Sequence, residues 1–490
     1  MRFREGTAMT RRLREYGNLI GGELRPAADG GALDSIDPAT GEVWARVPRG
    51  RAADAEAAVA AARAAFPAWS ALPAAARASY LRKVAEVFAR HARELAELET
   101  RDNGRVISET AGRDLPGMTH LWNAAAAECV RAAEGRGVDF GPGVQGVTRR
   151  EPYGVTVGII PWNSPISTLS AKAAWALAAG NTVIIKPAEQ AAVSSLRVGE
   201  LLREVLPPGV LNIVSGLGEE VGDPLVRSRG VDKVSLTGSV DTAKIITRAS
   251  ADALKPLALE LGGKSPNIVF ADADLDRAAP GVTTQAIFTP NAGQICYGGS
   301  RVLIQRPVYE EMIERMRAIA AGIRLGDPMS PDTTMGPIVS REQYERVTSY
   351  LEIGVKEGAE LVFGGRSGAE LVEERLAGGY WVEPTLFATT DNGLRICQEE
   401  IFGPVAVAIP FDTEEEAVAI ANDSSYGLAA GVWTRDLGTA HRMFRALEAG
   451  TVWINTFRKV LFPLEGTKDS GYGNDSLLAY TREKAGLFEF

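Results

Sequence analysis

The most constraining feature of this sequence is a central region in which short, apolar, β-branched runs alternate with longer helical stretches. The runs span residues 155–160, 182–185, 211–214, 234–237 and 257–260. Strands this apolar are typical of a parallel sheet that is covered by helices on both faces. Such folds bind ligands at the carboxyl ends of their strands. The pattern therefore predicts an α/β domain with a binding site along one edge of its sheet.

Other segments extend this architecture on both sides. The chain has 490 residues, more than one hydrophobic core usually organises. A second alternating region, from about 266 to 455, has predicted strands at 267–270, 302–304 and 405–409. Upstream, an alanine-rich helix is predicted from 52 to 66 with Pro67 as its end, followed by one helix that ends at Gly104. Residues 135–150 could form an extended excursion that pairs with residues 481–490.

Composition excludes several classes of protein. The net charge is −9, and no Lys/Arg cluster is interleaved with aromatic residues, so a nucleic-acid partner is not expected. The apolar runs are too short for a membrane span. The first sixteen residues contain arginines but no following apolar stretch, which predicts a frayed tail and no secretory signal. Three cysteines without CxxC spacing indicate neither a disulfide framework nor a metal site, and they fit a reducing cytoplasm.

Cys296 is the strongest candidate for chemistry. It lies in a glycine-flanked run, residues 291–301, where a ligand can come close to the backbone, whereas Cys129 and Cys397 are interpreted as structural thiols. A thiol nucleophile needs a lowered pKa or a partner base. None of the three histidines lies in a glycine-bounded motif, so a Cys-His peptidase is poorly supported. A carboxylate upstream, Glu260, precedes two glycines and is either a solvated strand end or a candidate base.

Several strands end in polar residues with two possible interpretations. Asn163 could donate its amide to a developing oxyanion or form an Asx turn beside proline. Lys186 and Glu189 could form a surface ion pair. Alternatively, Lys186 meets adenosine hydroxyls while Glu189 accepts from both ribose hydroxyls and repels a 2′-phosphate, which would favour NAD over NADP.

Two glycine-containing turns are candidates for phosphate binding. Residues 216–222 almost match a dinucleotide fingerprint, but the last spacing is one residue too long, so a plain strand-to-helix turn is favoured. The segment Thr237-Gly238-Ser239 is better placed, because it opens a helix directly after a strand, where N–H groups and the helix dipole would meet a pyrophosphate. A turn without a ligand remains the alternative.

Taken together, these motifs resemble the NAD(P)-dependent aldehyde dehydrogenase superfamily, in its hydrolytic, non-acylating branch. The resemblance extends from about Gly17 to the end and rests on Pro161-Trp162-Asn163-Ser164-Pro165, Lys186-Pro187-Ala188-Glu189, Thr237-Gly238-Ser239, Glu260-Leu261-Gly262-Gly263-Lys264, Gly293-Gln294-Ile295-Cys296 and Glu400-Ile401-Phe402-Gly403-Pro404-Val405. It implies an α/β fold with a Rossmann-type NAD-binding domain at 1–133 and 152–261 and an α/β catalytic domain at 262–465. It also implies a small β oligomerisation element at 134–151 and 466–490, and hence a homo-dimer or homo-tetramer.

The resemblance also implies a mechanism. Cys296 would attack the aldehyde, Asn163 and the Cys296 N–H would hold the oxyanion, and hydride would pass to the nicotinamide and leave a thioester, which water activated by Glu260 would hydrolyse. Lys172 corresponds to a lysine of the family's proposed proton path, and Asp475 occupies a common glutamate position. Glu400 is implied on the nicotinamide ribose and Phe402 against the nicotinamide. The full set of implied cofactor residues is Ile159, Ile160, Trp162, Lys186, Glu189, Gly218, Gly222, Thr237, Gly238, Ser239, Leu261, Glu400 and Phe402.

The implied substrate tunnel departs from the family pattern. Its candidate residues are Ser164, Ser167, Ile295, Tyr297, Phe457 and Arg458, and Ser164 stands where the family usually has phenylalanine. The tunnel is therefore predicted to be wide and polar, and Arg458 suggests a substrate with an anionic or polar tail. The alternatives are a CoA-acylating dehydrogenase, an esterase that ignores NAD, and an inactive binding or structural relative.

Overall fold

The computed structural model describes residues 13–459 and 464–490. Most of the predicted N-terminal tail lies outside these residues, but its end, Arg14–Glu15, forms a short parallel strand against Glu42–Pro48, which in turn pairs with Ala32–Asp37. Within the described part of the chain, no helix is both long and apolar enough to cross a bilayer.

The first large sheet contains the five predicted parallel strands and confirms the central α/β prediction. Its spatial order is Gly471–Tyr472, Leu257–Glu260, Lys233–Thr237, Val155–Ile159, Thr182–Lys186, Leu211–Ile213, Asn18–Ile20 and Glu23–Arg25. The strands that flank the five central ones, Gly471–Tyr472 and Asn18–Ile20, are antiparallel to them, and Glu23–Arg25 is antiparallel to Asn18–Ile20. Alternate residues pack on opposite faces: Val183 and Ile185 join one apolar cluster, whereas Ile184 joins another.

The strand order of this sheet creates a binding crevice. From Val155–Ile159 the chain proceeds outward through Thr182–Lys186 and Leu211–Ile213 and then crosses back to Lys233–Thr237 on the other side. Strand order thus reverses at Val155–Ile159, and in open α/β sheets ligands bind just beyond the carboxyl end of such a position. The segment that leads into Asn163 begins there.

The helices differ from the sequence expectations in two places. The first helix, Ala52–Ser70, does not end at Pro67 as predicted but continues through it. Pro67 removes only one N–H donor from the helix, and a hydrogen bond from the Ala71 N–H to the Pro67 carbonyl closes the last turn. The second predicted helix is divided into two helices, Ala74–Arg90 and Ala92–Asn103, which are joined at His91. The latter ends at Gly104, as predicted, and the φ of Gly104 is +81°. The remaining α-helices are Ile107–Glu109, Leu115–Glu128, Pro165–Ala178, Val193–Leu202, Asp223–Arg227, Val240–Ala251, Leu275–Pro280, Tyr309–Ala321, Arg341–Lys356, Arg395–Gln398, Glu414–Asn422 and Leu437–Ala446.

The second large sheet confirms the second alternating region. Its order is Glu360–Phe363, Thr385–Ala388, Val405–Phe411, Arg301–Gln305, Pro266–Val269, Ala429–Trp433 and Thr451–Ile454, and all pairs are parallel except the first. The connection from Glu260 to Pro266 joins the carboxyl edge of the first sheet to the amino edge of the second. Cys296 lies just before the neighbouring strand Arg301–Gln305, so this edge is also where the nucleophile candidate approaches.

A small antiparallel sheet contains the predicted excursion. Gly137–Gly141 pairs with Val144–Pro152, which pairs along its length with the C-terminal strand Thr481–Glu489. The structure differs from the predicted boundary at 466, because Gly471–Tyr472 pairs with Leu257–Glu260 and Thr467–Lys468 pairs with Tyr426–Gly427. The separate β element is therefore narrower than predicted, spanning 137–152 and 481–489.

Candidate active site

The loop before Cys296 has an unusual backbone. Asn291, Ala292 and Gly293 have φ values of 48°, 50° and 74°, in the left-handed region that non-glycine residues rarely occupy. Gln294 lies fully buried beneath the loop, where its side chain donates to the Asn291 carbonyl (2.9 Å) and accepts from the Val339 N–H (3.0 Å). These bonds fix the turn that presents the half-buried Cys296. Strain of this kind persists only where the surroundings hold it, and it is concentrated at functional sites.

Asn163 is bonded directly to this loop. Its Nδ2 donates to the Gln294 carbonyl at 2.8 Å, and its own carbonyl accepts from Asn291 Nδ2 at 3.0 Å. Asn163 comes at the sheet's crossover position, just before the helix Pro165–Ala178. An amide nitrogen carries two hydrogens, so one N–H stays available beside the cysteine loop. The structure thus brings together two candidates that are far apart in sequence.

Glu260 approaches the same loop from the end of its strand. The two glycines after it make this possible: a methyl group on Gly263 would lie 2.6 Å from the Cys296 carbonyl oxygen, and one on Gly262 would overlap the Glu400 carboxylate. Glu400 accepts from the Gly263 N–H at 2.9 Å. Cys296, Glu260 and Glu400 therefore surround a single glycine turn.

Burial shifts the pKa values of these three groups upward. It raises the pKa of Glu260 to about 8, with Asp475 adding to the rise and Lys172 opposing it. Burial likewise raises the pKa of Glu400 to about 7, although the hydrogen bond from the Gly263 N–H opposes this rise. The pKa of Cys296 rises to about 12, first through burial and then through the two carboxylates. With these groups alone the thiol stays protonated, so its activation requires an added positive charge or a base.

Lys172 lies behind Glu260 in a buried polar network. Its Nζ donates to Ser235 Oγ (2.7 Å) and to Asp475 Oδ2 (2.8 Å), and Tyr480 donates to the other Asp475 oxygen at 2.6 Å. The aspartate, although shorter than the family's usual glutamate, reaches the lysine directly. The network links the helix Pro165–Ala178 and the strand Lys233–Thr237 to the C-terminal segment.

The cofactor-binding candidates line the carboxyl ends of the first sheet's strands. Lys186 is buried and donates to Glu189 at 3.0 Å. Ser239 caps the helix Val240–Ala251 by accepting from the Thr242 N–H at 3.2 Å. Residues 218–222 form the expected strand-to-helix turn, and a Cβ at Gly218 or Gly222 would meet nothing within 4 Å. Ile159, Ile160, Thr237, Gly238 and Leu261 lie at or just beyond the strand ends.

Trp162 and Phe402 meet across this crevice. Their rings pack edge to face with centroids 5.2 Å apart. Phe402 has a φ of +60°, and its carbonyl accepts from Gln343 Nε2 at 2.9 Å, so a hydrogen bond from another element supports the strained backbone. The aromatic pair forms one wall beside Glu400.

The tunnel candidates form two groups. Tyr297 and Phe457 both pack on Trp453, with their ring centroids 5.9 and 4.7 Å from the Trp453 ring centroid. Ile295, close to Tyr297 in the sequence, is also buried. On the other side, Ser164 accepts from Arg105 at 2.9 Å, and Arg458 forms an ion pair with Glu109 at 3.0 Å. Ser167, three residues after Ser164, is half-buried on the same helix. The polar candidates are thus bonded to charged residues, Ser164 to Arg105 and Arg458 to Glu109.

Sequence reasoning missed several residues of this site. Arg105 and Glu109 follow Gly104, which was interpreted only as a helix end, and Asn291 lies in the cysteine run without an assigned role. Their carboxylate, guanidinium and amide groups are buried or nearly so, and that is a signal only once the fold is known. The glycine flanks of the cysteine run were the one local hint for Asn291.

Comparisons with known proteins identify the family of this chain. The aldehyde dehydrogenase family model matches residues 25–485. Acetaldehyde dehydrogenase 2 of Cupriavidus necator is 42% identical, covering 94% of this chain and 92% of that relative, and acetaldehyde dehydrogenase of Pseudomonas aeruginosa is 41% identical over 94% and 91%. The NAD⁺ complex of an aldehyde dehydrogenase from Bacillus cereus superposes with a TM-score of 0.93 at 40% identity and covers 97% of both chains. The chain belongs to the aldehyde dehydrogenase family.

Proposed function

We propose that this protein oxidises an aldehyde to the carboxylic acid with NAD, by way of a thioester on Cys296. The observation that carries the proposal is the direct bonding of Asn163 to the Cys296 loop, at the sheet's crossover position and beside Glu260. The nucleophile and the oxyanion donor then lie on segments that are hydrogen-bonded to each other, and the turn after the candidate base packs against the Cys296 carbonyl.

Each residue has a defined part in the reaction. Cys296 Sγ adds to the carbonyl carbon, and the free N–H of Asn163 and the Cys296 N–H stabilise the resulting oxyanion. Bound NAD supplies the hydride acceptor. Glu260, with its raised pKa, takes a proton from the water that cleaves the thioester. The buried Lys172, bonded to Asp475, offers a route for that proton away from the site.

The residues present fit a dinucleotide. The helix N-terminus at Ser239 suits a pyrophosphate, and a Cβ at Gly218 or Gly222 would meet nothing within 4 Å, so the neighbouring turn leaves room for a ligand. Lys186 and Glu189 would hold the adenosine ribose, and the Glu189 carboxylate would disfavour the 2′-phosphate of NADP. Glu400, Trp162 and Phe402 would border the nicotinamide half.

A panel of aliphatic, aromatic and semialdehyde substrates, assayed with NAD and NADP and with and without CoA, tests the proposed function. We expect NADH formation without CoA, a free acid as product, and a lower kcat/KM with NADP, because Glu189 repels the extra phosphate. A strict requirement for CoA would instead assign the acylating reaction. Ester hydrolysis without any aldehyde-dependent absorbance change would refute the dehydrogenase assignment.

Arg458 supports a substrate with a polar or anionic tail. Two of its guanidinium nitrogens bond Glu109, but its buried Nε has no hydrogen-bond partner among the described residues, so one donor is left for an acceptor in the tunnel. We expect Arg458→Ala to lower kcat/KM for carboxylated aldehydes about tenfold more than for neutral ones, as loss of a charge-assisted hydrogen bond implies. Equal losses on matched carboxylated and neutral aldehydes would refute the tail hypothesis.

The domain roles complete the proposal. The first sheet, within 1–133 and 152–261, would bind NAD, and residues 262–465 would form the catalytic domain. The small sheet is the proposed oligomerisation element of a homo-dimer or homo-tetramer. In its support, its outer strand Thr481–Glu489 is a long exposed edge, and Phe140, Leu487 and Phe488 present exposed apolar side chains.

A further inference from the structure

Glu109 is a junction between three separate segments of the chain. Its Oε2 accepts from Arg105 Nε at 3.0 Å and from the Asn291 N–H at 3.1 Å. Its Oε1 accepts from both terminal nitrogens of Arg458, each at 3.0 Å. One carboxylate therefore joins the short helix Ile107–Glu109, the loop before the nucleophile and the loop after the last strand of the second sheet.

The junction is shielded from water. The side chains of Arg105, Arg458 and Glu109 are 3%, 9% and 15% exposed. Charge-assisted hydrogen bonds are stronger in such surroundings than at the surface, because water does not screen them. The buried ion cluster can therefore hold a backbone segment that is unfavourable by itself.

Two of the three segments need such support. The N–H that Glu109 accepts from belongs to Asn291, the first of the three consecutive residues with left-handed backbone before Cys296. Arg458 also has a positive φ, of +64°. Conformations of this kind persist when the surroundings over-determine them.

The same cluster also contacts the oxyanion side of the site. Arg105 Nη1 donates to the side chain of Ser164, the residue after Asn163, at 2.9 Å. Asn291, held by Glu109, donates in turn to the Asn163 carbonyl. The amide that would stabilise the oxyanion and the loop that carries the nucleophile are thus both connected to one carboxylate.

We propose that Glu109 is a positioning residue that sets the nucleophile loop in register with the Asn163 amide through the Asn291 N–H. This inference rests on the proposed function of Cys296 and Asn163. Glu109 itself would not touch the reacting atoms. Because reaction rates fall steeply when reacting groups are misplaced by about an ångström, loosening the contact would slow acylation rather than weaken cofactor binding.

Acylation of Cys296 by p-nitrophenyl acetate in the presence of NAD tests this, since it needs neither an aldehyde nor hydride transfer. The Sγ–acyl bond forms, the thiol proton passes to solvent, the ester C–O bond breaks, and p-nitrophenolate leaves and is measured by its absorbance. We expect Glu109→Ala to be acylated about tenfold to a hundredfold more slowly, with NAD affinity unchanged. An acylation rate within twofold of the wild type in the folded variant would overturn the proposal.

Glu383→Ala is the matched control. Glu383 also accepts from a backbone N–H and from a guanidinium, both of Arg366, and its side chain is 14% exposed, but it lies outside the site. Its loss should lower the Tm by less than the loss of Glu109, because the Arg366 side chain is 66% exposed, and should leave acylation unchanged. An equal loss of acylation in Glu383→Ala would overturn the proposal, because the effect would then be one of general stability.

Two conservative variants keep the test decisive if Glu109→Ala does not fold. Glu109→Gln retains an oxygen that can accept from the Asn291 N–H, whereas Glu109→Asp retains the charge on a shorter side chain. Positioning through Asn291 predicts that the glutamine variant keeps more of the acylation rate. The opposite order would show that charge alone matters and would overturn the proposal. A wild type that is acylated by the ester but oxidises no aldehyde would refute the proposed function and leave this test valid.

Discussion

Replacing Cys296 with alanine is expected to abolish aldehyde-dependent NADH formation, with a loss of at least about a thousandfold. No other thiol can take its place, because Cys129 and Cys397 are buried in apolar clusters, where burial raises the pKa of each to about 11. The measurement is the NADH absorbance in the first turnover, with NAD binding followed by titration. NAD affinity should survive, since the cofactor candidates lie at the ends of other strands.

Cys397→Ala provides the control for this experiment. Cys397 is a free thiol that is fully buried in the apolar cluster of the second sheet. Its removal should cost some stability but leave the first-turnover rate intact. Retained turnover in Cys296→Ala would remove the basis of the mechanism.

Glu260→Gln is expected to separate the two halves of the reaction. The first turnover of NADH should remain, because thiol addition and hydride transfer do not need the Glu260 carboxylate in this scheme. Steady turnover should fall by about a hundredfold or more, since the thioester would lack its base. Stopped-flow absorbance resolves the two phases. Loss of the first phase would reassign Glu260 to activation of the thiol.

The pH dependence of wild-type turnover tests the same assignment. Glu260 must be ionised to act as a base, and burial raises its pKa to about 8. Where hydrolysis limits turnover, kcat should therefore rise about tenfold per pH unit below that pKa and level off above it. In Glu260→Gln this rise should disappear. A wild-type profile that is flat from pH 6 to 9 would contradict the raised pKa.

Much of the fold could be predicted because the decisive signals are local. The runs of Val, Ile and Leu at 155–160 and 234–237 were long enough and apolar enough to indicate covered parallel strands, and the structure confirms them. Helix limits were less predictable. The helix that begins at Ala52 passes through Pro67, because other N–H donors still form the hydrogen bonds of its last turn. The rule that proline ends a helix does not reveal this.

The site was predictable where a residue's chemistry shows in its immediate neighbours. Glycines around Cys296 and after Glu260 indicated close approach, and the structure places both at one turn. Glu109 gave no such signal, because its importance arises from contacts with Asn291 and Arg458, far away in sequence. Contacts of this kind depend on which segments the two sheets bring together, and residue type does not encode that.

The most direct test of the mechanism is to mix Glu260→Gln with NAD and an aldehyde that the wild type oxidises and then to determine the mass of the peptide that carries Cys296. The proposed mechanism predicts that this peptide gains the mass of the acyl group, and that the amount of modified peptide equals the amount of NADH formed in the first turnover. NADH formation with an unmodified Cys296 peptide, or with the acyl group on another residue, would contradict it.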